Sequence, residues 1–323
     1  MLAVRSIVLT LLFAYAAQAQ LLEAPTAAEP GRYSEPEVVQ VQVGAEITAS
    51  RGACRDILAM VAVPFECDEQ QVQRVDEDFS RHIGKVKYRD LGGAQQMLIT
   101  VPALAAGETA RAVVTFEVRT KPILPPEEGE TIGLSIPEKP ERALRKFITA
   151  SPYIETRDKA IRKLARQLWE QAGEESDVTD WERIELLYDH MLESIKYVEG
   201  PDKSAVTTLR DGKADCYGRS ALFIALCRAN KVPARIVWVN NHCYAEFYLE
   251  NAEGEGKWHP IESAGGRAFG EMPLARTIFQ KGDNFKVPER PKDRLRYATD
   301  WAKAYPVGNS GKPKMKYIRE VLE

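Results

Sequence analysis

The chain has 323 residues, 44% of them apolar and 28% charged, with a formal net charge of -3. That length suggests two domains of roughly 100–200 residues each, and the apolar share is enough to bury a core. The near-neutral balance gives no electrostatic reason to expect nucleic acid or an anionic membrane surface as a partner.

Residues 1–19 read as a secretory signal peptide. Arg5 supplies a short positive start, IVLTLLFA at 7–14 an apolar run, and Ala17-Gln18-Ala19 the small-x-small pattern of a cleavage site. The apolar run falls short of the roughly 20 residues that a membrane span needs. The expectation is export to the periplasm or the extracellular space, with cleavage after Ala19 and no membrane anchor left behind. Export bears on the five cysteines. In an oxidising compartment Cys54 and Cys67 could form a disulfide, and the odd count leaves at least one thiol unpaired.

Residues 20–35, rich in Ala, Pro and Glu, read as a flexible lead-in. A β-domain is expected over 36–121. There VQVQVGAEITA at 39–49 alternates apolar and polar residues, and further strand-like runs lie at 57–63, 72–75, 85–88, 97–101 and 110–118. Gly92-Gly93 marks a hairpin turn between two of them. Six short strands separated by turns suggest an antiparallel sandwich. Residues 122–150 hold five prolines among acidic residues and read as a linker.

Beyond 150 the period changes to 3.6. Ile161, Leu164, Ala165, Leu168 and Trp169 mark one amphipathic helix. Thr179 and Glu182 fit a capping box for the next, which carries Trp181, Ile184, Leu187, Tyr188, Met191 and Ile195. A third helix, with Cys216 at or near its N-terminus, is ended by Pro233. Strands follow at 236–239, 242–249 and 257–261, so residues 151–285 read as helices and then an antiparallel sheet, an α+β order. For the tail, 286–323, the sequence leaves open whether it wraps the domain or stays mobile.

Cys216 is the chemical signal in this region. At a helix N-terminus the free N–H groups and the macrodipole favour a thiolate. Nucleophilic catalysis by cysteine also needs a base within reach and a group that orients it. His242 opens the second strand. Alternation puts it on a face with Tyr244, Glu246 and Tyr248, the more polar one, while Cys243, Ala245, Phe247 and Leu249 face the core. Glu262 ends the next strand, where it meets His242 if the two strands pair. His82 and His190 read as surface residues.

These residues resemble the transglutaminase-like superfamily. The resemblance rests on Cys216 with its helix, Arg228 followed by Val232-Pro233-Ala234-Arg235, His242-Cys243-Tyr244-Ala245-Glu246, and Trp258-His259-Pro260-Ile261-Glu262, in family order and at similar spacing. It covers roughly residues 180–285, and 187–197 resembles the helix that precedes such cores. It implies a papain-like α+β core with Cys216 as nucleophile, His242 as base and Glu262 in the acid's position. Three positions depart from the family pattern: Glu262 stands for Asp, Tyr244 for Trp and Ala214 for Gly.

The activity implied is acyl transfer on a peptide or glutamine amide through a thioester, with a protein or peptide as substrate. Hydrolysis is expected over crosslinking by a protein-glutamine gamma-glutamyltransferase reaction. The competing reading is a binding or scaffolding module that keeps the fold without catalysis. No cofactor is expected. A zinc site from Cys216, His242, Cys243 and His259 lacks close-spaced ligand pairs, and no calcium-loop pattern is present.

Overall fold

The apolar alternation in the first third of the chain becomes six antiparallel strands: β1 (Glu37–Thr48), β2 (Cys54–Val63), β3 (Gln70–Phe79), β4 (Lys85–Asp90), β5 (Gln95–Leu104) and β6 (Thr109–Thr120). Each contains one of the predicted runs to within a residue. The structure, a computed structural model, describes residues 32–127, 129–173, 177–298 and 300–322. The predicted signal peptide and most of the lead-in lie outside the described residues. Gly92 and Gly93, at φ 69° and 126°, turn β4 into β5. Both conformations favour glycine, which has no Cβ to clash.

The helices are α1 (Lys159–Ala172), α2 (Asp180–Ser194), α3 (Ala205–Asp211) and α4 (Cys216–Ala229). The capping box at Thr179 and Glu182 forms as read from the sequence. Two-residue strands β7 (Lys196–Tyr197) and β8 (Lys213–Ala214) flank α3 and pair in parallel. After α4 come β9 (Ala234–Val239), β10 (His242–Glu250), β11 (Gly256–Ile261) and β12 (Ile278–Lys281), which form one antiparallel sheet in the order β11-β10-β9-β12. The fold is therefore α+β, with a β-rich N-terminal region.

The chain's last part closes the sandwich. β13 (Trp301–Pro306) pairs with β2 and β14 (Lys314–Leu322) with β1, giving sheets ordered β14-β1-β6-β3 and β13-β2-β5-β4. Between them lie Val41, Val43, Ile57, Ala59, Ile99 and Ala112, all fully buried. Sequence reading missed these tail strands because both are edges. β14 keeps most of its side chains in solvent, as edge strands rich in charge do.

One face of the β9–β12 sheet packs against α4. Leu222, Phe223 and Leu226 meet Cys243, Ala245 and Phe247 there, and that is the face predicted to be core. The opposite face, expected to be the more polar one, is also buried. Val237, Val239, Tyr244 and Ile278 pack under Ile123, Met272 and Phe65. Glu246 is accommodated on this face because Arg235 Nε lies 2.5 Å away and Lys281 Nζ 3.0 Å away, and Lys281 in turn reaches Glu69 at 2.6 Å. Buried charges persist only when paired in this way. Glu69 comes from the β2–β3 connection, so the cluster fastens the sandwich to the core.

The segment read as a linker is pinned at two points: Ile123 exchanges both backbone bonds with Met272 and Ser135 with Glu250. The Cys54–Cys67 disulfide does not form, and both are free thiols. Cys54 opens β2 and Cys67 follows its far end. Nine extended residues span about 30 Å, whereas a disulfide needs Cα atoms roughly 4.4–6.8 Å apart. Among the described residues no helix is long and apolar enough to cross a membrane.

Candidate active site

Three local signals start α4 at Cys216. Gly212 ends α3 in the left-handed region, at φ 62°. The short β7–β8 pair then sets the chain direction. Asp215 caps the helix, its Oδ1 accepting from Gly218 N–H at 2.9 Å. Gly218 is demanded by space, since a Cβ there would lie 2.6 Å from both Ala214 Cβ and Thr208 Oγ1. Cys216 becomes the first helical residue, where backbone N–H groups have no intrahelical acceptor.

The Cys216 thiol is held down at about 4. A hydrogen bond from the Cys243 thiol contributes most. Burial opposes it, and the His242 ring and the Cys243 backbone add further stabilisation of the anion. His242 is raised to about 9: burial works against its charge, but hydrogen bonds to Cys216 and Glu262 and their negative charges outweigh it. The resting pair is thus thiolate and imidazolium, and because each charge shifts the other, the two values belong to the pair.

β10 and β11 pair with Ala245 opposite Ile261, which carries Glu262 back to His242 at the strand start. His242 Nε2 lies 2.7 Å from Glu262 Oε1. The same oxygen accepts from Ser263 N–H at 2.8 Å and Ala264 N–H at 2.9 Å. With Nε2 engaged, Nδ1 is the ring nitrogen left for the thiolate. The glutamate backbone is fixed as well, its carbonyl accepting from Tyr188 Oη at 2.9 Å. The structure therefore brings Cys216 and His242 to one cavity wall, with Glu262 hydrogen-bonded to the ring from behind.

Two contributors escaped the sequence reading. Ser263 Oγ, fully buried, sits 3.0 Å from the Cys216 carbonyl and 3.2 Å from the Cys243 carbonyl, tying the helix start to β10. Its place directly after Glu262 was the only available signal. The tail is the other contributor. Arg296 stacks on Tyr217 and Tyr297 and pairs with Asp202 at 3.0 Å, while Tyr297 Oη donates to Asp202. A cavity of about 450 Å³ opens beside these residues, lined by Cys216, His242, Trp238 and Tyr297 together with Ala62 and Arg319 from the sandwich strands.

The remaining candidates lie elsewhere. His259 packs against Trp181 and Phe247 with ring centroids 5.1 and 5.3 Å away, and burial drives it down to about 3, so it stays neutral. It pairs opposite Phe247, four residues along β10 from Cys243, or about 14 Å. Cys227 is fully buried near the other end of α4. His82 faces Glu108 at 3.3 Å in the sandwich. Among the described residues no group of three or more His, Cys, Asp or Glu side chains is arranged to hold a metal ion.

Residues 162–263 match the family model of the transglutaminase-like superfamily. This stretch is a transglutaminase-like core. It contains the cysteine helix, the histidine strand and Glu262, the blocks from which the resemblance was drawn. A candidate cysteine protease from Cytophaga hutchinsonii shares the fold at TM-score 0.56 and 15% identity, covering 90% of this chain and 93% of its own. That coverage extends past the transglutaminase-like core into the sandwich. A candidate protease from Parabacteroides distasonis matches 75% of this chain and 71% of its own at 10% identity and TM-score 0.26. No curated protein matches the chain.

Proposed function

We propose that the protein is an exported thiol enzyme that cleaves amide bonds in proteins or peptides through a thioester, with Cys216 as nucleophile, His242 as acid and base, and Glu262 as the group that orients the imidazole. The observation that carries this reading is the arrangement itself: a cysteine lowered to about 4 at a helix start, and a histidine whose far nitrogen meets a carboxylate at 2.7 Å. Thiolate Cys216 attacks the substrate carbonyl carbon. The negative charge that develops on oxygen meets the Cys216 backbone N–H at the helix start. Imidazolium His242 then protonates the departing amine or ammonia, leaving the acyl group on sulfur. Neutral His242 next takes a proton from water, which hydrolyses the thioester and restores the thiolate.

Hydrolysis is favoured over transfer to a lysine because the cavity beside the thiolate opens to solvent, where water outnumbers any amine. Two measurements test the reading. Iodoacetamide at pH 6 labels Cys216 far faster in the folded than in the denatured protein; equal rates would remove the nucleophile. With casein and a fluorescent amine, the wild type cleaves without incorporating label, and Cys216→Ala does neither. Incorporation that depends on Cys216 would favour crosslinking. Identical behaviour of the two proteins would favour a binding module. Export is supported by the apolar leader and is tested by N-terminal sequencing of the mature protein, expected to begin at Gln20.

A further inference from the structure

Cys243 occupies a position that the amide chemistry does not require. It is fully buried, on the β10 face that packs against α4, in the cluster against which Cys216 also packs. Ser263 Oγ holds the carbonyls of both cysteines, so the two backbones are fixed against each other. Burial keeps the Cys243 thiol protonated, well above its usual range. One sulfur is therefore an anion lining an open cavity, and Cys243 is a sealed thiol in the core cluster against which Cys216 packs. The other cysteines cannot take this place. Cys227 lies eleven residues along α4, about 16 Å away, and Cys54 and Cys67 belong to the β-rich N-terminal region.

We propose that Cys216 and Cys243 form a peroxide-responsive dithiol, in which Cys243 resolves the oxidised nucleophile as a reversible disulfide. The proposal rests on the reading of Cys216 as an accessible thiolate. Hydrogen peroxide is small enough for the cavity. The Cys216 sulfur attacks one peroxide oxygen, the O–O bond breaks, and with one proton taken up the products are Cys216 sulfenic acid and water. The Cys243 thiol then attacks the sulfenic sulfur. Its proton leaves with the displaced hydroxyl as a second water, and an S–S bond of about 2.04 Å closes between the cysteines. A dithiol reductant reverses the step by thiol–disulfide exchange. Without a neighbouring thiol, continued exposure carries a sulfenic acid on to the irreversible sulfinic form. Cys243 would thus trade temporary loss of activity for protection of the nucleophile.

The test uses the full mature chain with hydrogen peroxide near pH 8.5, where even an unperturbed thiol of pKa about 8.5 is half ionised. It compares wild type, Cys243→Ala and Cys243→Ser, each shown by near-ultraviolet circular dichroism to be folded. The readouts are Cys216 alkylation by iodoacetamide before and after dithiothreitol, and non-reduced peptide mapping. In wild type, peroxide abolishes alkylation, dithiothreitol restores most of it, and the map contains a peptide pair bridged through Cys216 and Cys243. In both variants the loss persists after reduction and Cys216 carries two or three added oxygens. Irreversible loss in wild type at the rate of the variants would overturn the proposal, as would recovery without the bridged pair. If the bridge forms but no amide is cleaved, the functional reading fails and the dithiol stands. If Cys216 never alkylates, both fall.

Discussion

Helix α4 carries a charged side chain near each end, and the two ends are built for different purposes. At the N-terminus the Cys216 thiolate lies on the positive end of the helix dipole, half-buried and facing a cavity. In the last turn Arg228 lies toward the negative end, with its side chain entirely sealed from solvent. Its guanidinium meets Asp283 at 3.2 Å, Ser151 Oγ at 2.9 Å, and the Thr149 and Ala234 carbonyls at 3.0 and 2.9 Å. Both charges suit the dipole. What separates them is closure. The arginine's donors are spent on fixed acceptors, whereas the thiolate keeps one side free for an electrophile. The dipole alone does not tell the two ends apart; access to solvent does.

That contrast can be broken from either end. Cys216→Ser should give the largest effect, lowering amide turnover by more than about 10³-fold while leaving stability within about 1 kcal/mol, as denaturant midpoints would show. Arg228→Met should do the reverse. Leaving Asp283 buried without its partner costs about 3–5 kcal/mol in chemical denaturation, yet the folded fraction should alkylate at Cys216 at the wild-type rate.

Smaller effects sharpen the picture at the thiolate end. Glu262→Ala should reduce kcat/KM by about 10²-fold and move the alkaline limb of its pH profile down, because the carboxylate is one of the groups that raise His242. Ser263→Ala should cost about 1 kcal/mol of positioning, less than tenfold in kcat/KM, since one hydroxyl serves two carbonyls. Alkylation of the wild type needs only the thiolate and should fall as pH drops through about 4, while turnover also needs the proton on His242 and should fall as pH rises through about 9.

The strand pattern at 242–249 shows how far sequence reading reached. It assigned Cys243 to the core and His242 to the start of the strand, both of which hold in the structure. It read Glu246 and Tyr244 as the more polar face because their side chains carry oxygen. It had no means of knowing that Glu69 and Lys281, 212 residues apart, would meet and neutralise that face. The tail stayed open for a related reason: an edge strand with one thin buried stripe has a weak period, and its pairing partner β1 lies more than 250 residues away.

The sequence by itself determined the α+β order, the six N-terminal strands, the helix start at Cys216 and the order of cysteine, histidine and acid, because periodicity, capping residues and turn glycines act over a few neighbours. Only the tertiary structure decided that Glu262 reaches His242, that Ser263 ties Cys216 to Cys243, and that the last strands complete the sandwich whose edge lines the cavity. Those relations depend on strand register and on packing between distant segments, and local residue patterns do not encode them.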